Sequence, residues 1–199
     1  MSQMDREFDV IVFGATGFTG YLTAEYLLNQ YGLGDDLRWA IAGRSPEKLD
    51  NTRARLQTDT GVDTTSLSTL VADASDLELM RDLASRTHVV CTTVGPYALY
   101  GSQLVEACAL TGTHYCDLTG EVHWIRQMID QHHETAASNN ARIVFTCGFD
   151  CIPADLGPFF LPHEVRPRFG KPSPKINLRA KRFKGGPTGG PIPSLRRLR

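Results

Sequence analysis

The stretch Phe8-Asp9-Val10-Ile11-Val12-Phe13-Gly14-Ala15-Thr16-Gly17-Phe18-Thr19-Gly20 is an apolar run that ends in three glycines at a three-residue spacing. A helical pattern, Leu22 to Leu28, follows at once. The order is strand, tight turn, helix. Such a turn aims backbone N–H groups at an anion, with the positive end of the helix dipole behind them. A bulky side chain there would hold a diphosphate away. Any βα turn can carry glycine for positive φ, but here the strand and the helix flank the glycines directly, as dinucleotide binding requires.

The next apolar run, Trp39-Ala40-Ile41-Ala42-Gly43, ends in Arg44-Ser45. A fold selective for NAD places an acidic residue here, on the ribose 2′-hydroxyl. This chain has a guanidinium, which pairs with a 2′-phosphate, and Ser45 can add a hydroxyl. Ser45 is also a natural cap for a helix that begins Pro46-Glu47-Lys48-Leu49, and both roles can hold together. The expected cofactor is NADP.

Six apolar runs alternate with helical patterns between residues 8 and 146. That alternation predicts an α/β fold of Rossmann type, a doubly wound parallel sheet covered on both faces. Ligands of such sheets lie at the carboxyl ends of the strands, so residues just after each strand are the candidates. After the third run, Asp73 can accept from an adenine amino group or cap the helix that opens near Ser75 and Asp76. Ser75 and Glu78 have capping-box spacing. After the fourth, Val94-Gly95-Pro96-Tyr97 offers backbone of little bulk to the ribose and nicotinamide. Tyr97 can stack, donate a proton or pack. After the fifth, Asp117 and Glu121 either tune each other's pKa or serve the start of the next helix, with Asp117 or Thr119 as its cap and Glu121 in its first turn. The structural reading is the favoured one. After the sixth, Gly148 to Gly157 reads as a turn into a short helix with Pro153 near its first turn. His132-His133 reads as a solvated face and Trp124 as packing.

The whole chain has 199 residues, is 41% hydrophobic and 22% charged, and has a net charge of −1. That composition is globular. No apolar run approaches the ~18 residues of a bilayer span, and Met1 to Arg6 hold no signal-peptide core, so the expected location is cytoplasmic with no integral membrane segment. Cys91, Cys108, Cys116, Cys147 and Cys151 form no C-x-x-C pair. An odd count without a secretory signal argues against a disulfide framework. Buried apolar thiols are the favoured reading over a zinc site, and no metal is expected. The near-neutral total conceals a split. Residues 163–199 hold 11 Lys and Arg against one acid, Glu164, and are rich in proline. The domains expected are therefore 1–160, an NAD(P)-binding Rossmann domain, and 161–199, a basic Pro/Gly-rich tail.

Two further arrangements are missing. Neither Tyr97 nor Tyr100 has a lysine four residues on, and no G-x-S-x-G elbow occurs. No residue is assigned as an acid–base group.

Five pieces resemble the saccharopine dehydrogenase-like oxidoreductases, in the branch that includes the mycobacterial trans-acting enoyl reductases and the animal saccharopine dehydrogenase-like oxidoreductase. They are Val12 to Gly20, Ala42-Gly43-Arg44-Ser45, Val94-Gly95-Pro96-Tyr97 through Tyr100-Gly101, Tyr115-Cys116-Asp117-Leu118-Thr119-Gly120-Glu121, and Gly148 to Gly157. The resemblance implies hydride transfer, a lipid-like enoyl or carbonyl substrate, and a second α+β domain, of which Lys175 to Ala180 would be the first strand. Members are usually about twice this length. Lys184 to Leu195 resembles a glycine-rich loop of the family that reads close to G-G-x-S-G-G-T-I-A-S, with Pro191 and Pro193 in place of Thr and Ala. The end of the chain looks truncated or altered, so only the start of the second domain is expected.

The leading function is therefore an NADP-dependent oxidoreductase, or the cofactor-binding portion of one. The alternative is a non-catalytic module that senses NADP(H) or docks a partner. The cofactor-binding set is Gly14, Ala15, Thr16, Gly17, Phe18, Thr19, Gly20, Arg44, Ser45, Asp73, Val94, Gly95, Pro96 and Tyr97. No nucleic-acid partner is expected, because the basic tail lacks interleaved aromatics apart from Phe169 and Phe183. Homo-oligomer formation is left open.

Overall fold

The computed structural model describes residues 6–34, 36–171, 175–179 and 181–182. Six strands form one parallel sheet: β1 (Phe8–Phe13), β2 (Trp39–Gly43), β3 (Ser68–Val71), β4 (Thr87–Thr92), β5 (His114–Cys116) and β6 (Ile143–Val144). Their order is β3-β2-β1-β4-β5-β6. The chain winds outward from β1 on one side, then returns to β4 and winds outward on the other. The switch falls between β1 and β4, whose registers pair Val12 with Cys91 and Phe13 with Thr92. This is the doubly wound α/β fold expected from the alternation.

Burial follows the pleat, since successive side chains point to opposite faces. On one face Val12, Trp39 and Ile41 pack against α1 (Phe18–Tyr31) and α2 (Pro46–Thr60) through Ala24, Leu28, Leu49 and Leu56. On the other, Ile11, Phe13, Ala42, Val90 and Tyr115 pack against α3 (Leu77–Ser85), α5 (Ser102–Thr111) and α6 (Val122–Ser138) through Met80, Leu83, Leu104, Cys108 and Trp124. A short α4 (Tyr97–Tyr100) precedes α5. Trp124 is a core residue as expected, and its Nε1 donates to Ser102 Oγ at 2.9 Å.

Several local expectations are corrected. The cap of α3 is Asp76, not Ser75. Its carboxylate accepts from the amides of Glu78 and Leu79, while Ser75 donates its amide and hydroxyl back to Asp73. Both residues are competent caps one position apart, and the Asp73 turn occupies Ser75. The thiols are less buried than expected: only Cys108 lies fully inside, and the other four are half-buried. Arg6, at the start of the described residues, is buried. The short helix after β6 is α7 (Ile152–Phe169), 18 residues long, and it runs through position 160, where the composition changes. It continues through Pro158, Pro162 and Pro167, each of which lacks an N–H for the helical ladder. Residues 175–179 form no strand, and Ala180 and the glycine-rich segment 184–195 lie outside the described residues. No described helix is long and apolar enough to cross a membrane, and no described cluster of His, Cys, Asp or Glu is arranged to hold a metal.

Candidate functional site

The loop after β1 leaves the sheet at its switch point. Gly14 has φ +93°, a conformation glycine adopts without strain. A Cβ there would also collide with the Val94 side chain at 2.7 Å and Thr93 Oγ1 at 2.9 Å. The loop is strapped to β4 and its exit, because the amide of Thr93 donates to Phe13 O at 2.9 Å and its hydroxyl to Gly14 O at 3.3 Å. Gly17 caps α1 and provides no side-chain hydrogen bond, and no acidic residue sits in the first turn. The first helical bond is Tyr21 N–H to Gly17 O at 2.8 Å. The amides of Phe18, Thr19 and Gly20 therefore precede the intrahelical ladder and face outward along the axis. A Cβ on Gly17 would meet nothing closer than Gly14 O at 3.4 Å, so the front of the turn is open. An uncapped helix start with bare amides and no competing carboxylate suits a diphosphate, and the residues present fit a dinucleotide.

Within the predicted glycine loop the structure separates two kinds of residue. Thr16, Gly17, Phe18 and Thr19 are exposed at the mouth. Ala15 and Gly20 are buried behind it. Gly20 serves packing, since a Cβ would stand 2.2 Å from Gly14 O.

Arg44 follows β2 directly and is exposed. Ser45 caps α2, accepting from Lys48 N at 3.3 Å. Asp73 follows β3, and the amide and hydroxyl of Ser75 hold its carboxyl below the usual range, with the Arg44 charge adding to the effect. Arg44, Ser45 and Asp73 thus gather at the carboxyl ends of neighbouring strands. An open hollow of about 440 Å³ lies between α1 and α2, lined by Thr16, Gly17 and Phe18 on one side and Lys48, Asn51 and Arg55 on the other. Those last three were absent from the predicted set. Their signal was available: positions 48, 51 and 55 recur at one helical face, which starts one turn past Ser45. Tyr21 and Arg55 close the floor. The guanidinium lies 4.0 Å over the Tyr21 ring, and Asp59 accepts from both. A tighter hollow of about 240 Å³, lined by Val105, Met128, His132 and Phe145 among others, opens on β6 and the second half of α6, remote from these loops.

The exit of β4 differs from expectation at one residue. Val94 and Gly95 are half-buried, Pro96 is buried, and the Gly95–Pro96 peptide is cis. The Tyr97 ring turns inward. It is 5% exposed, packs on Trp124 at 5.6 Å between centroids, and donates its hydroxyl to Thr92 O at 3.3 Å. Burial pushes its phenol pKa up, with the nearby Asp117 charge adding to it. Tyr97 is therefore a core residue, and stacking or proton donation by its phenol is corrected to packing.

Asp117 and Glu121 also prove structural, by a route different from the one expected. Asp117 is buried and accepts from Tyr115 Oη at 2.7 Å and from the amides of Thr119 and Thr146 at 3.1 and 2.9 Å. Burial outweighs those bonds and raises its pKa. Glu121 stands at the cap position of α6 but does not cap it; its carboxylate crosses to α4. Cys91 and Cys116 are register partners on β4 and β5.

Comparison with known proteins agrees with the fold. Trans-acting enoyl reductases of Mycobacterium leprae and Mycobacterium tuberculosis are 48% and 47% identical over 165 and 161 residues. The matches cover 83% and 81% of this chain but only 38% and 37% of those proteins. Another Mycobacterium tuberculosis relative is 45% identical over 195 residues, 98% of this chain and 45% of its own length. The chain thus spans less than half the length of these relatives. Among solved structures, apo saccharopine dehydrogenase (L-Glu forming) of Saccharomyces cerevisiae superposes with a TM-score of 0.57 at 14% identity, covering 82% of this chain and 32% of that one. The likeness supports the fold. Residues 10–144, from the middle of β1 to the end of β6, match the family described as the saccharopine dehydrogenase NADP binding domain, and the chain belongs to that family.

Proposed function

We propose that this chain holds NADPH across the β1–β4 switch point and serves an oxidoreductase that reduces an enoyl or carbonyl group of a lipid-like substrate. One observation carries the reading: an uncapped α1 start, free of acidic residues, lies beside an exposed Arg44 where NAD-selective folds place an acid. In this reading the amides of Phe18 and Thr19, exposed at the mouth of the turn, hold the diphosphate, the Gly17 amide being engaged by Gly14 O at 3.0 Å. Arg44, Ser45 and Lys48 meet the 2′-phosphate, and Asp73 lies beside the adenosine. Val94, Gly95 and Pro96 give a backbone wall to the ribose and nicotinamide. The bound nucleotide supplies hydride, and the protein supplies position. The lipid-like substrate is suggested by the enoyl reductase names of the relatives, each more than twice as long as this chain.

A second reading, a nucleotide-binding module without turnover of its own, is favoured by the fate of the titratable groups near the nicotinamide end. Tyr97, Asp117 and Glu121 are all buried in structural hydrogen bonds.

Titration of the wild type and Arg44→Ala with NADPH and NADH tests the nucleotide site. The expected loss for NADPH is about 1–3 kcal/mol, the scale of a charge-assisted hydrogen bond to phosphate, with NADH nearly unchanged. Equal losses for both nucleotides overturn the role of Arg44, and uptake of neither by the wild type overturns the reading. Single-turnover oxidation of bound NADPH by enoyl thioesters then separates the catalytic reading from the module.

A further inference from the structure

Resting on the NADPH reading, we propose that Glu121 is a positioning residue for the nicotinamide half of the nucleotide. It acts through the Val94–Pro96 wall.

The wall has two attachments. On one side it is tied to the phosphate loop through Thr93, and Val94 packs where a Cβ on Gly14 would be. On the other side it runs into α4, whose cap residue is Pro96 and supplies no side-chain hydrogen bond. The first amides of a helix have no intrahelical acceptor. Glu121 supplies acceptors for two of them: Tyr97 N–H donates to Oε1 at 2.8 Å and Ala98 N–H to Oε2 at 3.0 Å. The carboxylate comes from the loop after β5, 24 residues away, and the residue is 5% exposed. Its own backbone is held in turn, because the Glu121 amide donates to Thr119 Oγ1 at 3.1 Å and the Thr119 amide to Asp117 Oδ1.

The chemistry of this junction calls for a carboxylate. The two N–H groups each meet a separate carboxylate oxygen, and an amide side chain offers only one oxygen for those two places. The N-terminal end of a helical turn also favours negative charge. In Glu121→Gln one amide faces an NH₂ group, a donor against a donor in a buried place. That end of the wall loses its anchor. The bonds of Thr93 to Phe13 and Gly14 remain, so the phosphate end keeps its shape.

The test compares NADPH with 2′,5′-ADP, which carries the adenosine phosphates and lacks the nicotinamide. Both are titrated into the full wild-type chain and into Glu121→Gln, with the fluorescence of bound NADPH recorded alongside. The variant is expected to bind NADPH about fivefold or more weakly and 2′,5′-ADP within about twofold of wild type. Its bound NADPH emission should move toward that of free NADPH. Should Glu121→Gln fail to fold, Thr119→Val withdraws the hydroxyl that holds the Glu121 amide and should show the same split in smaller measure. Equal weakening of both ligands, or no change in either, overturns the proposal while leaving the nucleotide site standing. Failure of the wild type to bind 2′,5′-ADP overturns the nucleotide reading and this proposal with it.

Discussion

A methyl group on Gly20 would stand 2.2 Å from the carbonyl oxygen of Gly14 and 2.8 Å from Ala15 Cα. The third glycine of the turn is thus a contact between helix and loop backbone. Neither partner is a flexible side chain, so α1 must shift to admit any Cβ. Gly20→Ala is expected to lower stability by about 1–3 kcal/mol in urea unfolding, the range for overpacking. Gly17→Ala meets only ordinary contact at 3.4 Å. It should change stability by less than about 1 kcal/mol, yet weaken NADPH, because the methyl stands in the open front of the turn. Equal stability losses at the two positions would contradict this division of labour.

Ser45 provides a test of charge at fixed fold. Its hydroxyl caps α2, and aspartate is as good a cap as serine. Ser45→Asp should keep the unfolding midpoint and discriminate against the 2′-phosphate. NADPH affinity should fall at least about tenfold, the factor that 1.4 kcal/mol represents, while NADH affinity holds or rises. Calorimetry with both nucleotides reads the outcome.

Arg6 gathers two helix ends. Its guanidinium donates to Thr111 O at 2.7 Å at the end of α5, to Ala84 O at 3.4 Å near the end of α3, and to Thr87 O and Thr113 Oγ1. Helix C-termini carry partial negative charge, so one buried cation serves both. Arg6→Met keeps much of the volume and withdraws the guanidinium from Thr111 O and Thr87 O, while Ala84 O still accepts from Thr113 Oγ1 at 2.7 Å. A loss of about 2–4 kcal/mol is expected, from the cost of unsatisfied buried groups once bonded to a charge. Denaturant unfolding measures it.

Tyr21 predicts an alkaline limb. Burial, the hydrogen bond to Asp59 and the Asp59 charge push its phenol up to about 12. The folded pKa lies above the unfolded value of about 10, so the protonated phenol's contribution is fully present below that pH. It is lost as pH rises toward about 12. The stability difference between wild type and Tyr21→Phe should be largest near about pH 8 and narrow above about pH 10. A difference that stays constant or widens would oppose this assignment.

The strands, the β1–α1 turn and the Arg44–Ser45 junction were legible because each is signalled over a short span. Apolar runs have the length of strands, and glycine spacing marks the turn. The packing role of Trp124 agrees with expectation, whereas that of Gly20, read as part of the nucleotide-binding turn, came from the contact of helix with loop backbone. What escaped reading depends on residues far apart in the chain or on competition between near neighbours. Tyr97 turns inward because Trp124, 27 positions on, provides the surface it packs against. Ser75 loses the cap position to Asp76 because Asp73 has already engaged it.

By itself the sequence determined where the chain turns from strand to helix, that the turn carries three spaced glycines, and that a cation rather than an acid follows β2. Local backbone sterics and short-range periodicity suffice for such features. Only the tertiary structure decided which acceptor meets which donor, Glu121 for the amides of α4 and Arg6 for two helix ends, and which side chains share a hollow, Lys48 and Arg55 with Thr16. A buried polar group must find its partner wherever the packed strands bring one near, and sequence separation carries no record of that distance.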